Sequence, residues 1–190
     1  MVRIDKIVTK AGDGGQTRLA SGAPVSKASL RVAAYGAVDE ANSAIGVVRL
    51  NTSANVVLDP ILDRIQNDLF DLGADLATPD AGAKLDYEPL RIQESQVLRL
   101  EREIDALNSD LSPLTSFILP GGTPAAAHLH LARAIARRAE RDIVALAATE
   151  AVSPEAVKYA NRLSDLLFVA ARWANDHGRG DLLWKPGANR

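Results

Sequence analysis

The chain has 190 residues, 47% hydrophobic and 24% charged, with a formal net charge of −2. That length suits one domain burying about 70% of the surface its unfolded form exposes, and the near-neutral charge gives no bulk attraction to nucleic acid or an anionic membrane. Cysteine is absent, which excludes disulfides, thiolate nucleophiles and cysteine-ligated metal clusters and fits a cytoplasmic protein.

The opening Met1-Val2-Arg3-Ile4-Asp5-Lys6 leads into a Gly-rich polar stretch, not the apolar core of a signal peptide. No apolar run approaches the roughly 18 residues of a membrane span. The stretch Thr9-Lys10-Ala11-Gly12-Asp13-Gly14-Gly15-Gln16-Thr17-Arg18 has the composition of an ordinary turn. It also suits an anion, because glycines let backbone N–H groups converge while Lys10, Thr17 and Arg18 add donors. It lacks the Gly-Lys-Ser/Thr ending of a Walker A loop. Lys27, slightly downstream, reads by itself as a surface lysine.

Helical periodicity then takes over. The first helix is expected over about 31–50, with Ala34, Val38, Ala41, Ile45 and Val48 as its apolar seam. The second, about 60–78, repeats Leu62, Ile65, Leu69, Leu72 and Leu76; the third, about 90–107, carries Val97, Leu100, Ile104 and Leu107. A fourth, about 124–149, presents Ala125, Leu129, Ala132, Ala136, Ala139, Ile143 and Leu146, and a fifth, about 154–177, presents Ala156, Ala160, Leu163, Leu167, Ala170 and Ala174. Asp59-Pro60, Thr123-Pro124 and Ser153-Pro154 each place a capping oxygen before a proline, whose missing N–H costs nothing in a first turn. Asp80 to Pro89 reads as a polar connection, and the tail from Gly178 as an irregular segment ordered by ligand. The expectation is one all-α domain over 1–190. It has an irregular N-terminal segment over about 1–30, a five-helix bundle over about 31–177 and a tail over about 178–190.

Two helical faces carry charge that the seams do not explain. On the fourth helix, Glu140, Arg133, Arg137, His130 and Arg141 fall within about 100° of one flank at 3.6 residues per turn. The stripe reads either as a solvated face of Arg–Glu pairs, worth a few tenths of a kcal/mol each, or as a boundary where guanidinium forks meet phosphate or carboxylate. His128 and His130 diverge by about 200° and cannot chelate one metal. Asp39 and Asn42 lie beside the first seam, where a carboxylate needs a cationic partner. Asn161, Arg162 and Asp165 form a polar face on the fifth helix. Phe117-Ile118-Leu119-Pro120-Gly121-Gly122 reads as an apolar connector running into a flexible break.

Four blocks in order resemble the PduO-type ATP:cob(I)alamin adenosyltransferases: Ala34-Tyr35-Gly36-Ala37-Val38-Asp39-Glu40-Ala41-Asn42-Ser43, Phe117 to Gly122, Arg137-Arg138-Ala139-Glu140-Arg141, and Asn161-Arg162-Leu163-Ser164-Asp165. The resemblance runs over nearly the whole chain. It departs at Ala11, where a hydroxyl or amide is common, at Gly14, where lysine is common, and in the run before Lys27. It implies a homotrimer of helical bundles with ATP sites at subunit interfaces. It implies ATP contacts from Thr9, Lys10, Ala11, Gly12, Thr17, Arg18, Lys27, Arg137, Arg138, Glu140, Arg141 and Asn161, with Glu140 helping to hold Mg²⁺. Asp39 would pair with Arg133 of a neighbouring subunit, and Phe117 would line the cobalamin pocket. Arg137, Asp39, Arg133 and Phe117 form the implied catalytic set. The implied partners are a flavin-type reductase and an adenosylcobalamin-dependent enzyme.

The implied reaction transfers the 5′-deoxyadenosyl group of ATP to cob(I)alamin, which leaves triphosphate. Reduced cobalt is itself the nucleophile, so the lack of cysteine is no obstacle. A same-fold cobalamin delivery or regulatory module is the nearest alternative. A ferritin-like metal protein would need Glu-x-x-His pairs on two helices, and the chain has none. A helical adaptor would leave the Gly-rich start and the arginine stripe without a role. Arg179-Gly180-Asp181 reads as a chance tripeptide.

Overall fold

The computed structural model describes residues 7–79 and 87–190. Five helices carry the fold: α1 (Leu30–Arg49), α2 (Leu58–Ala77), α3 (Glu94–Asn108), α4 (Pro124–Ala147) and α5 (Pro154–Trp173). α1 lies between α2 and α4, α4 packs on α5, and α5 also meets α3 and α2, which closes the bundle. Every expected seam residue of α1 and α2 is buried, as are Val97, Leu100 and Leu107 of α3. On α4 the buried seam begins at Ala126 and continues through Leu129, Ala132, Ala136 and Ala139. Small residues on both α1 and α4 let the two helices approach closely along their length. Among the described residues no helix is long and apolar enough to cross a membrane.

The helix starts follow capping chemistry, with two departures from expectation. Ser29, Thr123 and Ser153 cap α1, α4 and α5 by accepting from the N–H three residues on. Asp59 does not cap α2, because the helix begins at Leu58, two residues earlier than expected, and Asn55 Oδ1 accepts from Val57 N and Leu58 N instead. The Asp59 carboxylate is held by Arg49, Nε–Oδ1 3.0 Å and Nη2–Oδ2 2.9 Å, which keeps it below the usual carboxylate range. α3 starts four residues later than its periodicity suggests. Leu90 to Gln93 stay outside the helix, where Gln93 and Gln96 form a capping box and Ile92 N donates to Asp75 Oδ2 at 2.9 Å.

Two segments expected to be irregular are ordered. At the N-terminus, β1 (Gln16–Arg18) pairs antiparallel with β2 (Pro24–Ser26), with Thr17 opposite Val25. This hairpin is fastened to the end of α2 by Ala20 N donating to Ala77 O at 3.1 Å. At the C-terminus, α5 stops at Trp173, short of His177, because Asp176, His177 and Gly178 adopt positive φ of 55°, 52° and 82°. The turn sends the tail back across the bundle, where β4 (Leu182–Leu183) pairs with β3 (Ile118–Leu119). The expected connection from Asp80 to Pro89 lies outside the described residues as far as residue 86, and Leu90 then leads into α3.

Buried charges are tied between helices. Asp68 of α2 accepts from Gln96 Nε2 (2.9 Å), from Arg99 of α3 and from the Tyr159 hydroxyl of α5 (2.9 Å). Burial, then the Asp68 charge, pushes the Tyr159 phenol well above its ordinary value, so it stays a donor. A cavity of about 550 Å³ between Arg31, Asp75, Arg91 and Ser153 is walled by side chains already paired. None of the residues expected in a site lines it. Tyr159→Phe removes one of three bonds to Asp68 and leaves no partner orphaned. Its stability in denaturant unfolding is expected to fall by about 1 kcal/mol with turnover unchanged, and wild-type stability would contradict this account.

Candidate active site

The Gly-rich start is a compact turn capped by a lysine. Asp13 N donates to Lys10 O at 3.3 Å and Gly15 N to Gly12 O at 3.2 Å, and Lys10 takes a positive φ of 59°. Lys27 N donates to Gly15 O at 2.9 Å. The Lys27 ammonium lies over Gly12 so closely that a Cβ there would sit 2.7 Å from Nζ. A side chain at Gly12 would displace that ammonium. The hairpin therefore brings Gly12 and Lys27 together, beside the exposed Thr9, Lys10 and Ala11. Thr17 is half-buried on β1. Arg18 is exposed, with Nη1 donating to Gly22 O at 2.7 Å.

The α4 flank is built by the opposite side of the same helix. Because Ala132, Ala136 and Ala139 are buried, the neighbouring Arg137 and Arg141 are exposed and Arg133 is half-buried. Among the described residues no ion pair within the chain engages Arg133, Arg137 or Arg141. The Arg133 Nε is buried without a partner. Burial, then the charge of Arg137, pushes its guanidinium below its ordinary value, as expected of a cation without a local counter-charge. Arg138 differs, being paired with Glu40 of α1. His130 is buried with neither ring nitrogen bonded, and burial, then Arg133, pushes its imidazole below its ordinary value. His128 turns away to meet Asn51, Nδ1–Nδ2 3.1 Å, in line with the divergence expected of the two histidines.

Glu140 and Asn161 are set by a relay across three helices. Arg162 of α5 donates from Nε to Glu101 Oε1 of α3 (2.8 Å) and from Nη1 to Asn161 Oδ1 (2.5 Å). Asn161 Nδ2 donates in turn to Glu140 Oε1 at 2.7 Å. Asn161 is thus fixed with its oxygen toward Arg162, and one Glu140 oxygen is bound. Glu101 was invisible to the sequence reading, because its role exists only once α3 packs on α5. Among the described residues no group of three or more His, Cys, Asp and Glu side chains is placed to hold a metal. A lone carboxylate such as Glu140 fits Mg²⁺ only in the manner of nucleotide sites, where phosphates supply most ligands.

Asp39 is exposed on α1 at a shallow hollow shared with Tyr35, Asn42 and Phe70. Within one chain no ion pair joins it to Arg133, and none joins the N-terminal turn to the α4 flank, among the described residues. Phe117 is 78% exposed. Its ring meets Trp184 from the tail, centroids 6.1 Å apart and planes at 54°. Trp184 N donates to Phe117 O at 2.8 Å, and Ser116 Oγ donates to Trp184 O at 2.9 Å. A cleft of about 740 Å³ opens beside Leu119, Leu182, Trp184 and Lys185. The sequence reading missed Trp184; its signal was an apolar Leu182-Leu183-Trp184 triplet in a segment too short for a helix.

Comparison with known proteins bears on this arrangement. Residues 7–174 match the family described as cobalamin adenosyltransferase. The chain is 47% identical over 192 residues to a corrinoid adenosyltransferase of Mycobacterium leprae, covering 98% of each. It is 43% identical over 187 residues to one of Bacillus subtilis, covering 96% of this chain and 94% of the relative. Among solved structures, a variant PduO-type ATP:corrinoid adenosyltransferase from Lactobacillus reuteri complexed with cobalamin and ATP superposes with a TM-score of 0.85 at 43% identity. That match covers 95% of this chain and 97% of the other. A variant of the same kind complexed with ATP gives 0.84 at 44% identity, covering 94% and 100%.

Proposed function

This chain belongs to the cobalamin adenosyltransferase family, and from that premise we infer how its own residues carry out ATP-dependent adenosyl transfer to a corrinoid. The reaction forms a cobalt–carbon bond at the 5′ carbon of ATP and breaks that carbon's bond to oxygen, whose electron pair leaves with triphosphate. The cobalt centre is the nucleophile. The protein has to align the reactants and stabilise the charge that develops on the leaving group.

The observation that carries the residue assignment is the α4 flank, where Arg133, Arg137 and Arg141 stand without a counter-charge among the described residues of their own chain. Arg137, at its exposed centre, stabilises the departing triphosphate. Arg138, Arg141 and Lys27 add charge, and Lys27 is held over the Gly12 turn where backbone donors of Thr9 to Gly12 face the phosphates. Thr17 and Arg18 complete the hairpin side of the site. Glu140 and Asn161, oriented through Arg162, hold the nucleotide, and Glu140 helps retain Mg²⁺, which supplies further neutralisation of triphosphate charge when bound. Phe117 presents its exposed ring to the corrin. With a corrinoid bound, that apolar ring would keep water off the facing side of the metal, which would make its Co(II) form easier to reduce.

That no ion pair among the described residues joins Asp39 or the N-terminal turn to the α4 flank supports a site shared between subunits, assembled as a homotrimer. Asp39 of one subunit neutralises Arg133 of the next. Residues 1–30 then serve ATP, the bundle over 31–177 is the scaffold and the tail over 178–190 serves the corrinoid. A cytoplasmic location, a flavin-type reductase and an adenosylcobalamin-dependent consumer belong to the same reading.

Two outcomes test it. Arg137→Ala is expected to lower turnover at saturating ATP by about 10²-fold or more, followed as the cobalt–carbon product from ATP and pre-reduced cobalamin; near-normal turnover in a folded oligomer would remove Arg137 from the mechanism. Asp39→Asn leaves Arg133 without its counter-charge, a loss of about 3–5 kcal/mol where such a pair is fully buried, so sedimentation should show weakened assembly. The double variant Asp39→Arg with Arg133→Asp should recover part of it. Single variants that assemble like wild type would refute the pairing.

A further inference from the structure

The tail that delivers Trp184 to Phe117 is fastened by a buried polar cluster the reaction itself does not use. Asp181 accepts from Arg172 Nε at 2.8 Å, and the two side chains are only 4% and 7% exposed. Arg172 Nη2 also donates to Ser112 O at 2.8 Å, so one guanidinium ties α5, the segment after α3 and the tail. Asn175, 3% exposed, sits at the centre. Its Oδ1 accepts from Thr123 N at 2.9 Å, and its Nδ2 donates to Asp181 Oδ1 at 3.3 Å and toward Gly121 O at 3.5 Å. Gly122 has a φ of +100°, and a Cβ there would lie 2.0 Å from Asn175 Oδ1. The chain thus accepts a glycine-only backbone so that Asn175 can reach both the connector before α4 and the tail.

Each of the two strands beside this cluster is flanked by an exposed aromatic ring. Phe117 directly precedes β3 and Trp184 directly follows β4, and their backbones are joined at that point. A buried ion pair and a fully used amide are costly unless every partner is in place, which makes the arrangement close to all-or-none. We propose that Arg172, Asn175 and Asp181 are positioning residues, a latch that holds Trp184 against Phe117 before any corrinoid arrives, and that Trp184 is a second wall for the corrin face. The proposal rests on the reading that Phe117 lines the corrinoid site. A preset wall avoids ordering the tail at the moment of binding, so it acts on corrinoid affinity and leaves the phosphate end untouched.

Asp181→Asn keeps the size of the side chain and removes its charge. In a Trp173→Phe background Trp184 is the only tryptophan, and acrylamide quenching reports whether it stays docked. The latch predicts quenching in the ligand-free protein raised about twofold or more. It also predicts a KM for pre-reduced cobalamin raised about tenfold or more, with the KM for ATP and kcat within about twofold of wild type. Trp184→Ala, a change at a half-exposed position, should reproduce the KM effect and decides the matter should Asp181→Asn fail to fold. Unchanged quenching in Asp181→Asn, or a wild-type corrinoid KM in Trp184→Ala, overturns the proposal. Phe117→Ala separates the two levels. If it disturbs corrinoid kinetics while Trp184→Ala does not, only the latch falls; if neither does, the reading of this face as the corrinoid site falls with it.

Discussion

The packing of α1 on α4 through buried alanines fixes the rotational setting of α4, and the site depends on that setting. With Ala132, Ala136 and Ala139 buried, a helix of 3.6 residues per turn has no freedom over where Arg133, Arg137 and Arg141 point. Larger residues on the seam would separate the helices and turn the flank. The small seam also explains why half-buried Arg133 has lost much of its water without finding an ion-pair partner among the described residues of its own chain. The flank's charge is a consequence of how the core packs.

Contrast with the other arginines gives that flank its meaning. Arg31 meets Glu150, Arg49 meets Asp59 and Asp63, Arg99 meets Asp68, and Arg172 meets Asp181. Each holds elements together, because a buried cation without a carboxylate is costly. Where the chain leaves cations exposed and close together, the folding penalty is offset only when an anion arrives. Triphosphate is such an anion, and a carboxylate from a second subunit is another. The same side-chain chemistry thus builds the bundle in one place and binds in another, according to whether its counter-charge is supplied within the chain.

The two ordered extensions present complementary chemistry. The hairpin over β1 and β2 presents Lys27 above Gly12, so this extension offers backbone donors and one ammonium. The tail presents Trp184 beside Phe117, so the other end is apolar and aromatic. Polar and apolar surfaces are thus kept apart, which on the proposed reading suits a charged triphosphate and a flat macrocycle.

The sequence by itself determined the five helices, their buried seams apart from half-buried Ile104, Ala125 and Ala174, three of the caps and the clustering of arginines on α4, because all of these follow from local periodicity and nearest-neighbour chemistry. Asp59 misled that reading, since a short polar residue before proline caps a helix only if no closer competitor exists, and Asn55 was one. The relay from Glu101 through Arg162 to Asn161, the pairing of β3 with β4, and the latch of Arg172, Asn175 and Asp181 around Gly122 were decided only by tertiary structure. Their partners lie tens of residues apart. Nothing in the spacing of Glu101 and Arg162, or of Gly122 and Asn175, marks them until the helices have packed, because long-range contacts are set by how the seams bury and not by any pattern along the chain.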